Sequence, residues 1–141
     1  MILPDVNILL YAYRSDAADH SRFRDWLRET IAGPEVFGLS EIVLDSFVRV
    51  VTHPKILKPP TPLDLALEFC DLLHSRPNAV LVMPGPRHWK IFTELCSRVR
   101  ATGDLVQDAY LAALAIESDC EWITIDRDFA LFPGLRWRHP F

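Results

Sequence analysis

The chain has 141 residues, half of them apolar, and a formal net charge of −4. That length suits one compact domain, and that apolar share excludes a disordered chain. The negative balance excludes a globally basic nucleic-acid coat, so any polyanion must be met by local Arg or Lys or through a bound cation. Cys70, Cys96 and Cys120 are odd in number and widely spaced, which implies buried thiols in a reducing cytosol rather than a disulfide framework or zinc knuckle. No basic and apolar leader opens the sequence, and its apolar runs are too short to span a bilayer. A cytoplasmic protein with no membrane partner, one domain over residues 1–141, is expected.

In chain order, Met1 to Leu3 is a short apolar run before Asp5 and reads as a buried strand; Val6 to Tyr13 then reads as helix. Ala17 to Ile31 is amphipathic, with Phe23, Trp26, Leu27 and Ile31 near helical spacing, and Gly33-Pro34 stops it. Val36 to Leu39 is a second strand. Ser40 is a reasonable N-cap for a helix that carries Leu44, Phe47, Val48 and Val51 and ends near Thr52, before Pro54. Pro54 to Pro62 holds four prolines and reads as a stiff connection inside one domain. Leu63 to His74 is predicted helical, Ala79 to Met83 a third strand, His88 to Arg100 a helix broken by Gly103, and Val106 to Glu117 an Ala-rich helix. Trp122 to Ile125 is a fourth strand before Asp126, and Leu135 to Arg138 is a candidate fifth. Trp89, Trp122 and Trp137 read as core residues. Strands separated by helices predict an α/β fold, three layers with a parallel sheet of four to five short strands.

In such sheets, sites form beyond the carboxyl ends of the strands. Asp5 and Asp126 end the first and fourth strands, and Glu41 opens the helix after the second, so all three belong at one edge. Asp108 shares its helix face with Leu111, Ala112 and Ala115, an inward stripe where an apolar residue is expected. Glu41 lines up in the same way with Leu44, Val48 and Val51. An acid on a buried stripe is costly unless paired or bound to metal. Clustered carboxylates repel, and a divalent cation relieves that repulsion; an all-oxygen set favours Mg²⁺ or Mn²⁺ over zinc. Such a site suits phosphodiester hydrolysis. Taken singly, Asp5, Asp104 and Asp108 also fit helix N-caps, Asp126-Arg127-Asp128 fits a turn, and Glu41 fits a helix-dipole complement. Asn7, Ser40, Asp104 and Asp128 are accessory candidates beside these acids. Asp45 is a further neighbour, and Arg49, one turn on, is placed to pair with it.

The segments DVNILLYAY from Asp5, SE at 40–41, QDAYLAALA at 107–115 and TIDRDFALFPGL at 124–135 together resemble a PIN domain, and more narrowly the VapC-type toxin ribonucleases of bacterial toxin–antitoxin pairs. The resemblance implies a Mg²⁺- or Mn²⁺-dependent endoribonuclease, a homodimer, and inhibition by a cognate antitoxin. It implies structured RNA, such as tRNA or ribosomal RNA, as substrate class. In the family's pattern the catalytic acids correspond to Asp5, Glu41, Asp108 and Asp126, with Asp5, Asp108 and Asp126 on the metal and Asp128 accessory. Pro4 stands where the family usually has an aliphatic residue; lacking an N–H, it predicts an early end to the first strand. Cys120 stands where Gly is common before the last strand. The alternatives are a PIN nuclease in RNA processing outside toxin–antitoxin systems, or a non-catalytic α/β interaction module. A phospho-accepting receiver domain is disfavoured, because the third strand ends Val82-Met83-Pro84 without Asp and the fourth lacks a closing Lys.

Overall fold

The computed structural model describes all of residues 1–141. Its strands are β1 (Ile2–Pro4), β2 (Phe37–Leu39), β3 (Ala79–Leu81), β4 (Glu121–Ile123) and β5 (Trp137–Arg138). Its helices are α1 (Val6–Tyr13), α2 (His20–Ala32), α3 (Glu41–Val51), α4 (Leu63–His74), α5 (His88–Val99) and α6 (Asp104–Glu117), with a short 3-10 helix at Arg127–Leu131. The strands form one all-parallel sheet in the order β3-β2-β1-β4-β5. The predicted α/β fold is therefore the observed one, fifth strand included.

The strand order reverses at β1. Crossovers toward β2 and β3 run one way, and the crossover from β3 back to β4 runs the other. Right-handed connections then put the two sets of helices on opposite faces. The helix contacts agree: α1 packs with α2 and α3, and α3 with α4, while α5 packs with α6. Between them lies the apolar core, in which Leu3, Phe47, Leu114 and Trp122 are fully buried. The segment from Pro54 to Pro62 is tied back to α1 and α3. Arg14 donates to Pro59 O at 2.9 Å and to Thr61 Oγ1 at 3.2 Å, and the Thr61 N–H donates to Val51 O at 2.7 Å.

Pro4 does not end β1 early. The strand pairs with β4 through Pro4, opposite Ile123. The Asp5 N–H donates to Ile123 O and the Glu121 N–H to Met1 O, so residues 1, 3 and 5 turn their backbone polar groups toward β4. The missing N–H of Pro4 falls on the β2 side, where the recorded pairing is Ile2 with Phe37. There the two strands also come close: a Cβ on Gly38 would sit 3.1 Å from Leu3 Cδ1 and 3.2 Å from Ile2 O. With Val82 Cγ2 at 3.0 Å as well, a larger residue there would force its neighbours to shift by a few tenths of an ångström.

Other expectations shift: α2 begins at His20 rather than Ala17, β3 ends at Leu81 rather than Met83, and β5 begins at Trp137 rather than Leu135. α6 starts at Asp104 rather than Val106, so Asp104 and Asp108 stand one turn apart on a single helix. β4 ends at Ile123 rather than Ile125. Trp89 is 69% exposed, not core, because His88 and Leu95 take the inward face of α5.

Candidate active site

The carboxyl edge of the sheet opens onto a cleft of about 370 Å³, lined by Asp5, Asn7, Asp104, Asp108 and Asp126 and by one side of α3. β1 delivers Asp5 as the N-cap of α1, in extended conformation, with its side chain accepting from the Val6 N–H at 2.6 Å. Asp5 is almost fully buried. Its Oδ2 accepts from the Thr124 hydroxyl at 2.6 Å and from Asn7 Nδ2 at 2.8 Å. Burial drives the Asp5 pKa up to about 6; the Thr124 and Val6 hydrogen bonds oppose this, and the charge of Asp126 adds to it.

Thr124 is the residue sequence reasoning missed. It is fully buried just past β4, and its hydroxyl also accepts from Asn7 Nδ2 at 3.0 Å and from the Asp126 N–H at 3.0 Å. One side chain thus ties the end of β1 to the segment that carries Asp126. A period-two reading held the signal: Thr124 lies between the buried Trp122 and the acid Asp126 on one side of an extended run. Asp126 in turn caps the 3-10 helix, accepting from the Asp128 N–H at 2.9 Å.

Asp108 arrives from the opposite helical layer. Leu111, Ala112 and Ala115 are buried as the α6 stripe predicts, and Asp108 sits half-buried at the cleft end of that stripe. Its pKa is raised to about 6, first by burial, then by the charges of Asp126, Asp5, Asp128 and Asp104. Asp104 is exposed and lines the cleft one turn earlier; Asp128 is exposed, outside the lining but close enough for its charge to act on Asp108.

The structure does not bring Glu41 into this group. Glu41 is exposed at the first position of α3 and does not line the cleft. Leu44 and Val51 are buried as expected, but the shared face runs past the edge of the core. Ser40 is buried, makes no capping hydrogen bond, and is likewise outside the lining. The wall α3 does present consists of Val43, Ser46, Arg49 and Val50. The expected Arg49–Asp45 pair does not form: Arg49 lines the cleft, while Asp45 is exposed elsewhere.

The donor chemistry fits a hard cation. The metal-binding side chains in the lining are all carboxylates, with no His or Cys, and two of them have their charged forms disfavoured by burial and mutual repulsion. No three Asp, Glu, His or Cys side chains form a group able to hold an ion unaided. Asp5, Asp108 and Asp126 thus meet in one cleft but not as a three-ligand cage.

A larger cleft, about 970 Å³, lies at the amino-terminal edge of the sheet beside Met1, Ile2, Val36 and Phe37. Its Arg138 is already paired with Glu121 at 3.0 Å. Size favours it, but the perturbed carboxylates and the strand ends favour the smaller cleft.

A parallel sheet that gathers carboxylates at its carboxyl edge, with one delivered by a helix of the opposite layer, defines an α/β protein with an acidic site. The PIN-domain family profile matches residues 2–135. Ribonuclease VapC43 of Mycobacterium tuberculosis is 42% identical over 140 residues, 99% of this chain and 95% of that protein. Ribonuclease VapC25 of the same organism is 37% identical, covering 99% of each. The chain belongs to the PIN-domain family, among the VapC ribonucleases. The fold is shared with VapBC2 from Rickettsia felis bound to a promoter DNA fragment (TM-score 0.70, 19% identity, 99% and 98% of the two chains). It is also shared with VapC20 of M. tuberculosis, a Sarcin-Ricin loop cleaving toxin (TM-score 0.65, 16% identity, 96% and 99%).

Proposed function

We propose that this chain is a Mg²⁺- or Mn²⁺-dependent endoribonuclease, the toxin of a type II toxin–antitoxin pair, held inactive by a cognate antitoxin. The observation that carries this reading is one cleft holding Asp5, Asp104, Asp108 and Asp126 in a VapC relative, with two of those acids raised to about 6. In this reading Asp5, Asp108 and Asp126 would hold the cation together with waters and a substrate phosphate, and Asp104 and Asp128 add negative charge around it. Glu41 acts from outside the cleft lining, at the start of α3. What a bound Mg²⁺ or Mn²⁺ supplies is a more acidic water and neutralisation of phosphate charge. The chain's own residues prepare for it. Thr124 and Asn7 fix the rotamer of Asp5, Thr124 anchors the backbone of Asp126, and α6 carries Asp108 in on a rigid stripe.

Structured RNA, tRNA or ribosomal RNA, is the proposed substrate. A homodimer in the cytoplasm belongs to the same reading; no helix is long and apolar enough to cross a membrane. The purified chain is expected to cleave such RNA with Mg²⁺, to stop with EDTA, and to resume when Mn²⁺ or Mg²⁺ is restored. Cleavage indifferent to EDTA, or none on any RNA with metal present, overturns the nuclease reading. Expression in a bacterial host is expected to arrest growth, with relief on co-expression of the adjacent small gene. Metal-dependent cleavage without arrest places the activity in RNA processing instead.

A further inference from the structure

The cleft lining is uneven in charge. Asp5, Asp104, Asp108 and Asp126 line it together with Val43, Ser46, Arg49 and Val50 of α3. Arg49 is the sole cationic residue in the lining. It is exposed, and it forms no ion pair, neither with Asp45 one turn back nor with any acid of the cleft. Its guanidinium is therefore free to meet an incoming anion at the cleft. α3 approaches the helix that bears Asp108, with Gln107 Nε2 and Ser46 Oγ 3.5 Å apart. The backbone of α3 thus brings Arg49 to the acidic cleft without a pairing of its own.

A polyanion approaching this chain meets a net charge of −4 and a cleft full of acids. Something cationic at the cleft must offset that. A guanidinium stays charged at any working pH, and its planar fork of N–H donors matches two phosphate oxygens at once.

We propose that Arg49 binds a phosphate of the RNA strand from α3, in the same cleft as the acids, and so sets which phosphodiester reaches them. This rests on the nuclease reading and names its substrate-positioning group. The test compares wild type with Arg49→Ala, Arg49→Gln and Arg49→Lys. Binding of a labelled single-stranded RNA is followed by anisotropy in EDTA, and cleavage of the same RNA in Mg²⁺. Losing one phosphate contact is expected to weaken binding about 5- to 10-fold and to flatten the slope of log K against log salt by about 0.7. KM is expected to rise more than kcat falls, with Lys recovering part of the loss and Gln none. Because Arg49 is exposed, the variants should keep the wild-type melting temperature within a few degrees, and their Mn²⁺ affinity should hold or rise. Unchanged RNA affinity, salt slope and KM in a wild-type background that cleaves overturns the assignment alone. A wild type that neither binds nor cleaves RNA overturns the nuclease reading, and the assignment with it.

Discussion

Asp108→Asn is expected to lower RNA cleavage by about 10²- to 10³-fold while making the metal-free protein more stable. Asn keeps the shape of the side chain and one oxygen but removes the charge that a divalent cation needs. The stability gain follows from proton linkage. Asp108 is raised to about 6 in the folded chain from an ordinary value of 3.8. Between those two pH values the folded state holds a proton that the unfolded chain has released. Stability therefore falls as pH rises through that window and stays reduced above it. At full effect the displacement corresponds to about 3 kcal/mol; half-burial and solvent screening reduce this to roughly 1 kcal/mol. For a domain of this size that is about 2–4 °C in melting temperature. Asp5 contributes a slope of the same sign. Scanning calorimetry from pH 4 to pH 8, with and without Mg²⁺, checks both parts. The metal-free wild type should lose stability toward neutral pH and regain it with Mg²⁺, and Asp108→Asn should show less of each change. Glu41→Gln, altering an exposed acid outside the cleft, should cost far less activity. An Asp108→Asn protein that cleaves at the wild-type rate would remove Asp108 from the site.

Periodicity carried the reading of α6 because both halves of its signal lay in one helix. Leu111, Ala112 and Ala115 define the inward stripe, and Asp108 falls on it. The same reasoning says less about Glu41, which is exposed and outside the cleft lining, since a helical repeat says which face a residue shares but not where the core beneath that face ends. Asp45 and Arg49 show the complementary gap. Their spacing permits an ion pair, yet the roll of α3 about its axis turns Arg49 to the cleft and leaves Asp45 in solvent. That roll is set by contacts with α1 and α4, elements distant in sequence. Strand ends were legible to within two residues, because turn chemistry and apolar runs bracket them. Their exact lengths depend on neighbours: β1 persists through Pro4 because its hydrogen bonds at that end go to β4 through the flanking residues. Asp104 became helical because Gly103 takes positive φ just before it, and a glycine there reads from sequence only as a break.

Thr124 shows what a strand-end network contributes beyond its acids. Its hydroxyl has one donor and two acceptor positions, and all are used: it gives to Asp5 Oδ2 and receives from Asn7 Nδ2 and the Asp126 N–H. Thr124→Val keeps the volume and the β-branch and deletes all three bonds at once. The Thr124 bond is also the foremost influence holding the Asp5 pKa down against burial. Its loss should push that carboxyl further above about 6, so that less of Asp5 is ionised at neutral pH. Two consequences separate here. Leaving buried polar groups unmet should cost about 1–3 kcal/mol of stability. Misorienting and partly protonating Asp5 should lower cleavage about 10- to 100-fold, the range typical of groups that orient metal ligands. The acidic limb of the pH–rate profile should move to higher pH in Thr124→Val and return in Thr124→Ser, which restores the hydroxyl. A purely structural threonine would shift the melting temperature and leave that limb in place. Thr124→Val with the wild-type limb and rate would mean that Asp5 needs no such support, and that its orientation comes from the Val6 N–H and Asn7 alone.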